Sequence, residues 1–213
     1  VFESKDNHCT SEMAYLFSRE VSKNNSDLSD LAIIGIISEQ KENLSELSKR
    51  ILLDSKNLEI KKGLTIYPAT RPLKRTLQFS TSPYIPGVTG NEPGVIELLE
   101  EAKISGEKSL LDLNESEMLR LSGGIKIRQR GREIEQKIIN EMYILKIFNK
   151  KEDVREIATM LNSCAKQGLS DTAFFYCLGD KNAKSKVIDI YTKHTQEIVS
   201  GLKIAENLEK IGN

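Results

Sequence analysis

The chain has no Trp, two His, three Cys and five Pro in 213 residues, and aromatic residues make up only 6% of it. Cys9, Cys164 and Cys177 form no CxxC and no Cys/His set at zinc spacing, which excludes the usual structural metal site and a disulfide scaffold. Such a small, odd count suits a reducing compartment, either a cytoplasm or delivery into one. His8 and His194 are the only histidines, so a nucleophile–His pair has little to draw on. There is no Walker loop, GxGxxG, HExxH or GxSxG. Tyr15 stands six residues after Cys9, where a phosphatase loop needs Arg. A non-enzymatic protein without cofactor or metal is the expectation.

Long apolar runs are missing too. The longest, "LAIIGII" at residues 31–37, has seven residues, against the ~20 that a membrane span needs. The opening "VFESKDN" has no cationic-then-apolar leader, so no signal peptide is expected. It suggests a piece of a longer protein, with the alternative that this is a fragment of an enzyme whose catalytic residues lie elsewhere. An excess of charge of one sign is also absent. Thirty-one basic residues balance 31 acidic ones, so any attraction to a polyanion must come from local clusters.

What is present is a folded composition, 38% hydrophobic and 29% charged, arranged mainly at helical spacing. Met13, Leu16, Phe17 and Val21 share a face behind a Thr10 or Ser11 cap. Residues 26–40 read as a short helix buried on several sides, and Leu44, Leu47 and Ile51 mark another. In the second half, residues 93–105 read as a proline-initiated helix. Asn114 with Glu117 resembles a capping box, and Gly123 or Gly124 a helix stop. Ile134, Ile138, Met142, Leu145 and Phe148 then predict a helix to about Lys150, followed by helices over 151–168, 169–180 and 183–212.

Between these blocks, residues 63–94 hold all five prolines and four glycines, which excludes helix through most of the span. "LTIY" and "TLQFS" alternate well enough for a short β-ribbon. Leu64, Ile66, Tyr67, Leu77, Phe79, Tyr84 and Ile85 are anchors for an irregular insertion that packs on the body. The expected fold is therefore all-α: an N-terminal three-helix unit (1–62), the packed insertion (63–94) and a C-terminal helical bundle (95–213).

Two basic segments are the candidate binding residues. In "SGGIKIRQRGREIEQ", Lys126, Arg128, Arg130 and Arg132 alternate with Ile125 and Ile127. In an extended conformation this puts cations on one face, ahead of a helix N-terminus whose free N–H groups attract anions. Cations there oppose the helix dipole, which implies an anionic partner, either Glu97, Glu100, Glu101 and nearby acids of the same chain or an external one. The second segment comprises Lys61, Lys62, Arg71, Lys74 and Arg75, with no acid between Gly63 and Gly90 and with Tyr67 and Tyr84 interleaved. A protein partner is the favoured reading. An anionic lipid headgroup or a nucleic-acid backbone is the alternative, if the segments converge. Lys- and Asn-rich composition with few aromatics suits a bacterial effector or a viral protein.

One fragment, "ILLDSKNLEIKK" at 51–62, resembles a segment of the SopB/IpgD class of bacterial phosphoinositide phosphatases, downstream of their catalytic loop. It spans about a twentieth of the chain and contains none of that family's catalytic residues. The resemblance implies phosphoinositide binding at most.

Overall fold

The computed structural model describes residues 8–39, 44–129 and 138–211. Along the chain the elements are α1 (Thr10–Val21), a 3-10 segment (Lys23–Leu28), α2 (Ser29–Ser38), α3 (Glu46–Asp54), β1 (Leu58–Leu64), α4 (Leu73–Gln78) and α5 (Glu92–Ala102). A 3-10 turn (Leu110–Asp112), α6 (Glu115–Arg128), β2 (Ile139–Ile147), β3 (Lys150–Asp153), α7 (Val154–Lys166), α8 (Ser170–Cys177) and α9 (Lys181–Ile211) follow. They form two compact units, one of residues 1–59 and 143–184, the other of residues 60–142 and 185–213.

The all-α expectation is overturned by a three-stranded sheet of order β1-β2-β3. Lys146 N–H donates to Asn57 O at 3.2 Å and Thr65 N–H to Ile138 O at 2.8 Å, so β1 and β2 run antiparallel. β2 also pairs antiparallel with β3, Ile144 opposite Asp153 and Ile147 opposite Lys150. The mainly helical chain is thus mixed α/β.

The failed element is β2, read above as helix. Ile138, Met142, Leu145 and Phe148 do recur at helical spacing. However, Met142, Tyr143, Ile144 and Leu145 are all buried in succession. A central strand covered on both faces needs such a continuous run of β-branched and aromatic side chains, and periodicity alone cannot tell it from a buried helix. The hairpin turn is Phe148–Asn149, both left-handed, at φ 49° and 60°. Two successive positive-φ residues are the mark of a type I′ turn, which usually reads Asn-Gly; the Phe-Asn pair hid it.

Within the first unit, α2 packs on α1, α3 and α7, burying Ala32, Ile33, Ile34, Ile36 and Ile37. Gly35 lets α1 approach, since a Cβ there would overlap Ser11. The N-cap of α1 is Cys9, one residue before the caps expected, and the group that serves it is Glu12. This carboxylate accepts from Cys9 N–H at 2.7 Å, from Ser45 Oγ at 3.1 Å and from Ser48 Oγ. Ser45 itself caps α3. One buried carboxylate thereby joins the N-termini of two helices, where both dipoles favour negative charge.

In the second unit, α5 packs against α4 and α6. Leu64, Ile66, Leu73, Leu77, Ile85, Val88, Val95, Leu98 and Leu121 have no exposed surface. The proline-rich segment holds one short helix, α4, which includes most of the "TLQFS" expected as ribbon. Leu64 of "LTIY" ends β1, whose ladder partner is β2.

Candidate functional site

The first basic segment is not an extended arm. α6 runs through Gly123 and Gly124 to Arg128, so Lys126 and Arg128 stand in the last turn of a helix. Cations there complement the dipole instead of opposing it. The Asn114–Glu117 box opens this helix: Asn114 Oδ1 accepts from Glu117 N–H at 2.9 Å, and Glu117 Oε2 accepts from Asn114 N–H at 3.1 Å. Arg130 and Arg132 lie outside the described residues.

Arg128 folds back onto α5. Its Nη1 donates to Glu101 Oε2 at 2.8 Å, its Nη2 lies 3.8 Å from Glu97 Oε2, and the side chain keeps 16% of its surface exposed. The guanidinium hydrogen bond holds the Glu101 carboxyl below the usual carboxylate range. Lys126 is exposed on the same turn.

The second segment spreads over several elements. Lys61 and Lys62 are exposed on β1, Tyr67 and Arg71 are half-buried in the following loop, and Arg75 is exposed on α4. Lys74 is anchored, its Nζ 2.8 Å from Glu92 Oε1 in the first turn of α5. That hydrogen bond lowers the Glu92 pKa and raises that of Lys74. Tyr84 is half-buried; its hydroxyl donates to Glu206 Oε2 at 2.8 Å, and its carbonyl accepts from Gln129 Nε2 at 3.1 Å.

The two segments share α5 as a neighbour, at Glu92 for Lys74 and nine residues on at Glu101 for Arg128. α6 touches the insertion through Gln129 and Tyr84, and each segment sends one cation to α5, at Glu92 and at Glu101. Ile96 on α5 and Leu119 and Ile127 on α6 remain exposed. Leu119, Gly123 and Ile127 follow one another at i, i+4, i+8, on one side of α6. Exposed Lys126 on α6 and exposed Glu97, Glu100 and Glu101 on α5 put charges of both signs beside these apolar side chains. Sequence reasoning had singled out Glu97 and Glu101 only as one choice of partner, and had missed the exposed apolar residues.

No set of three or more His, Cys, Asp or Glu suited to a metal ion occurs among the described residues. Among them, too, no helix is long and apolar enough to cross a membrane. Cys9 and Cys164 are buried, Cys177 is half-buried and all three are free, with burial pushing each thiol pKa up. Neutral, shielded thiols of this kind are poor nucleophiles.

The sequence profile of the archaeal Cdc45 family matches residues 14–122, just over half of the chain. No curated protein matches.

Proposed function

This chain belongs to the archaeal Cdc45 family, and we propose that it is a replication-related protein-interaction module working in a cytoplasm. Its contact surface is the α5–α6 face with the adjoining insertion, centred on Lys126, Ile127, Leu119, Ile96 and Arg75. The observation that carries this reading is the use of α5 as an internal counter-charge. Arg128 and Lys74 are already bound to Glu101 and Glu92, so the remaining surface is mixed in sign and dotted with exposed Leu and Ile. Protein interfaces are built from such surfaces, with apolar anchors inside a polar rim. A phosphate backbone asks instead for unopposed cations in a row.

The test is titration calorimetry of the chain against purified replication proteins of its own organism, one at a time, with a labelled DNA single strand in parallel. Binding of at least one protein is expected, weakened about tenfold or more by Leu119→Ser with Ile127→Ser, a loss of ~1.4 kcal/mol. If no replication protein binds, the reading fails. Tight DNA binding, with the salt slope falling by about one unit in Lys126→Ala, transfers the surface to nucleic acid.

A further inference from the structure

A second surface lies in the other unit, on α8. Helical spacing sets Phe174, Leu178 and Phe175 within an arc of about 100°, and Tyr176 points the other way. Tyr176 is buried, its ring 5.4 Å from that of Phe148 in the β2–β3 turn and edge-on to it. This contact fastens α8 by its inner side. The outer side is left bare: Phe174 is 61% exposed, Phe175 52%, Leu178 65% and the preceding Leu169 42%.

The surroundings are mostly basic. Lys166 and Lys181 are exposed, four residues before Ser170 and four after Cys177. Exposed Lys150 follows the hairpin turn, and Lys184 holds its Nζ 4.6 Å above the Phe148 ring. Of the nearby acids, Glu152 stands 4.0 Å from the same Lys184 Nζ, and Asp180 is engaged as the cap of α9, its Oδ1 accepting from Ala183 N–H at 2.7 Å. Asp171 is the one acid on the outer arc itself.

We propose that the outer face of α8 docks an acidic amphipathic helix of another protein. Its apolar side chains would sit on Phe174, Phe175 and Leu178, and its carboxylates would face Lys166 and Lys181. Charge complementarity selects acidic over basic partners. Area selects a helix over a second copy of this chain. The open parts of the two phenylalanines amount to on the order of 200 Å², while a stable association buries about 800 Å² per partner. A patch of this size is an anchor for one helix laid on an aromatic surface. Nucleic acid fits less well. The Phe174 and Phe175 rings stand at 67° to each other, 5.9 Å apart, so they do not offer parallel faces to successive bases, and leucines offer no π-face at all.

The experiment is an NMR amide-shift titration of the whole chain with two synthetic helical peptides, each carrying Leu at i, i+3, i+4 and i+7. One has Glu at its remaining positions and the other Lys. The Glu peptide is expected to shift amides of residues 169–178 and to bind about tenfold more tightly than the Lys peptide. Phe174→Ser with Phe175→Ser should abolish this binding; both side chains face solvent, and Phe174→Ala alone serves if the pair impairs folding. Lys166→Glu with Lys181→Glu should invert the peptide preference. Equal binding of both peptides, absence of shifts at 169–178, or shifts of those amides by an oligothymidine single strand instead would each overturn the proposal. Lys126→Ala and Ile127→Ser should leave the titration unchanged, which separates this face from the one on α5 and α6.

Discussion

Gly124 of α6 sits so close to Leu98 of α5 that a Cβ at residue 124 would stand 2.6 Å from Leu98 Cδ1, whereas one at Gly123 would meet nothing within 4 Å. Adjacent glycines in one helix therefore do opposite things. Gly124→Ala overpacks a side chain with no exposed surface, at a loss of about 1–3 kcal/mol. Gly123→Ala removes backbone freedom from the unfolded chain and gains about 0.5–1 kcal/mol. Chemical denaturation of the two single variants checks the pair, and the same sign for both would contradict the packing described.

Glu12 responds to pH in a defined direction. Burial alone raises its pKa, but hydrogen bonds from Ser48, the Cys9 backbone and Ser45 outweigh that, and its pKa in the fold lies below the usual value. Its contribution is thus present above the ordinary carboxylate pKa and disappears as pH falls through the lowered one. Ser48→Ala removes a donor to a buried charge, a loss of roughly 1.5–3 kcal/mol at neutral pH. That deficit should shrink in acid, where Glu12 is protonated in both proteins. Urea unfolding at neutral and acidic pH measures it.

Tyr15 gives an alkaline counterpart. Burial, then its hydrogen bond to Asp54 at 2.7 Å, pushes the phenol up to about 12. With the folded value above the unfolded one, the bond stabilises the protein below about pH 10 and is lost as pH climbs through the raised value. Phenolate absorbance should show one of the six tyrosines ionising late. Asp54→Asn should bring that step down, and Tyr15→Phe should remove it at a loss of about 1 kcal/mol.

The hairpin turn offers a gain. Asn149 holds φ 60°, a conformation glycine adopts without strain. Asn149→Gly should raise stability by some tenths of a kcal/mol up to about 1 kcal/mol. Phe148→Gly should not, because its ring contacts Tyr176 and Lys184. Thermal unfolding distinguishes the two.

Much of the helical content was legible from spacing: α1, α2, α5 and α7 to α9, and the Asn114–Glu117 box, follow from local patterns, though α1 starts from Cys9 and α8 from Leu169, not from the hydroxyl or carboxylate residues that usually cap. β2 was not, because a strand buried on both faces carries no alternation, and its turn lacked the usual Asn-Gly. The alternating Ile and Lys/Arg of 125–128 misled for a related reason. Four residues fit a strand period and a helix end equally well, and the choice was made by α5, whose Leu98 admits α6 only where Gly124 stands. The sequence also put Glu97 and Glu101 within view of Arg128 without saying which of several acids would reach it. The bare face of α8 was hidden among apolar residues of equal hydrophobicity. The packing of α8 on α7, together with the ring of Phe148, turns Tyr176 inward and leaves Phe174 and Phe175 outside.

The division of the chain has a consequence for its biosynthesis. Residues 1–59 wait for 143–184, and residues 60–142 wait for 185–213, so neither unit is a continuous stretch that a ribosome can deliver whole. Each unit closes only through contacts between segments far apart in sequence, the kind of topology that folds slowly.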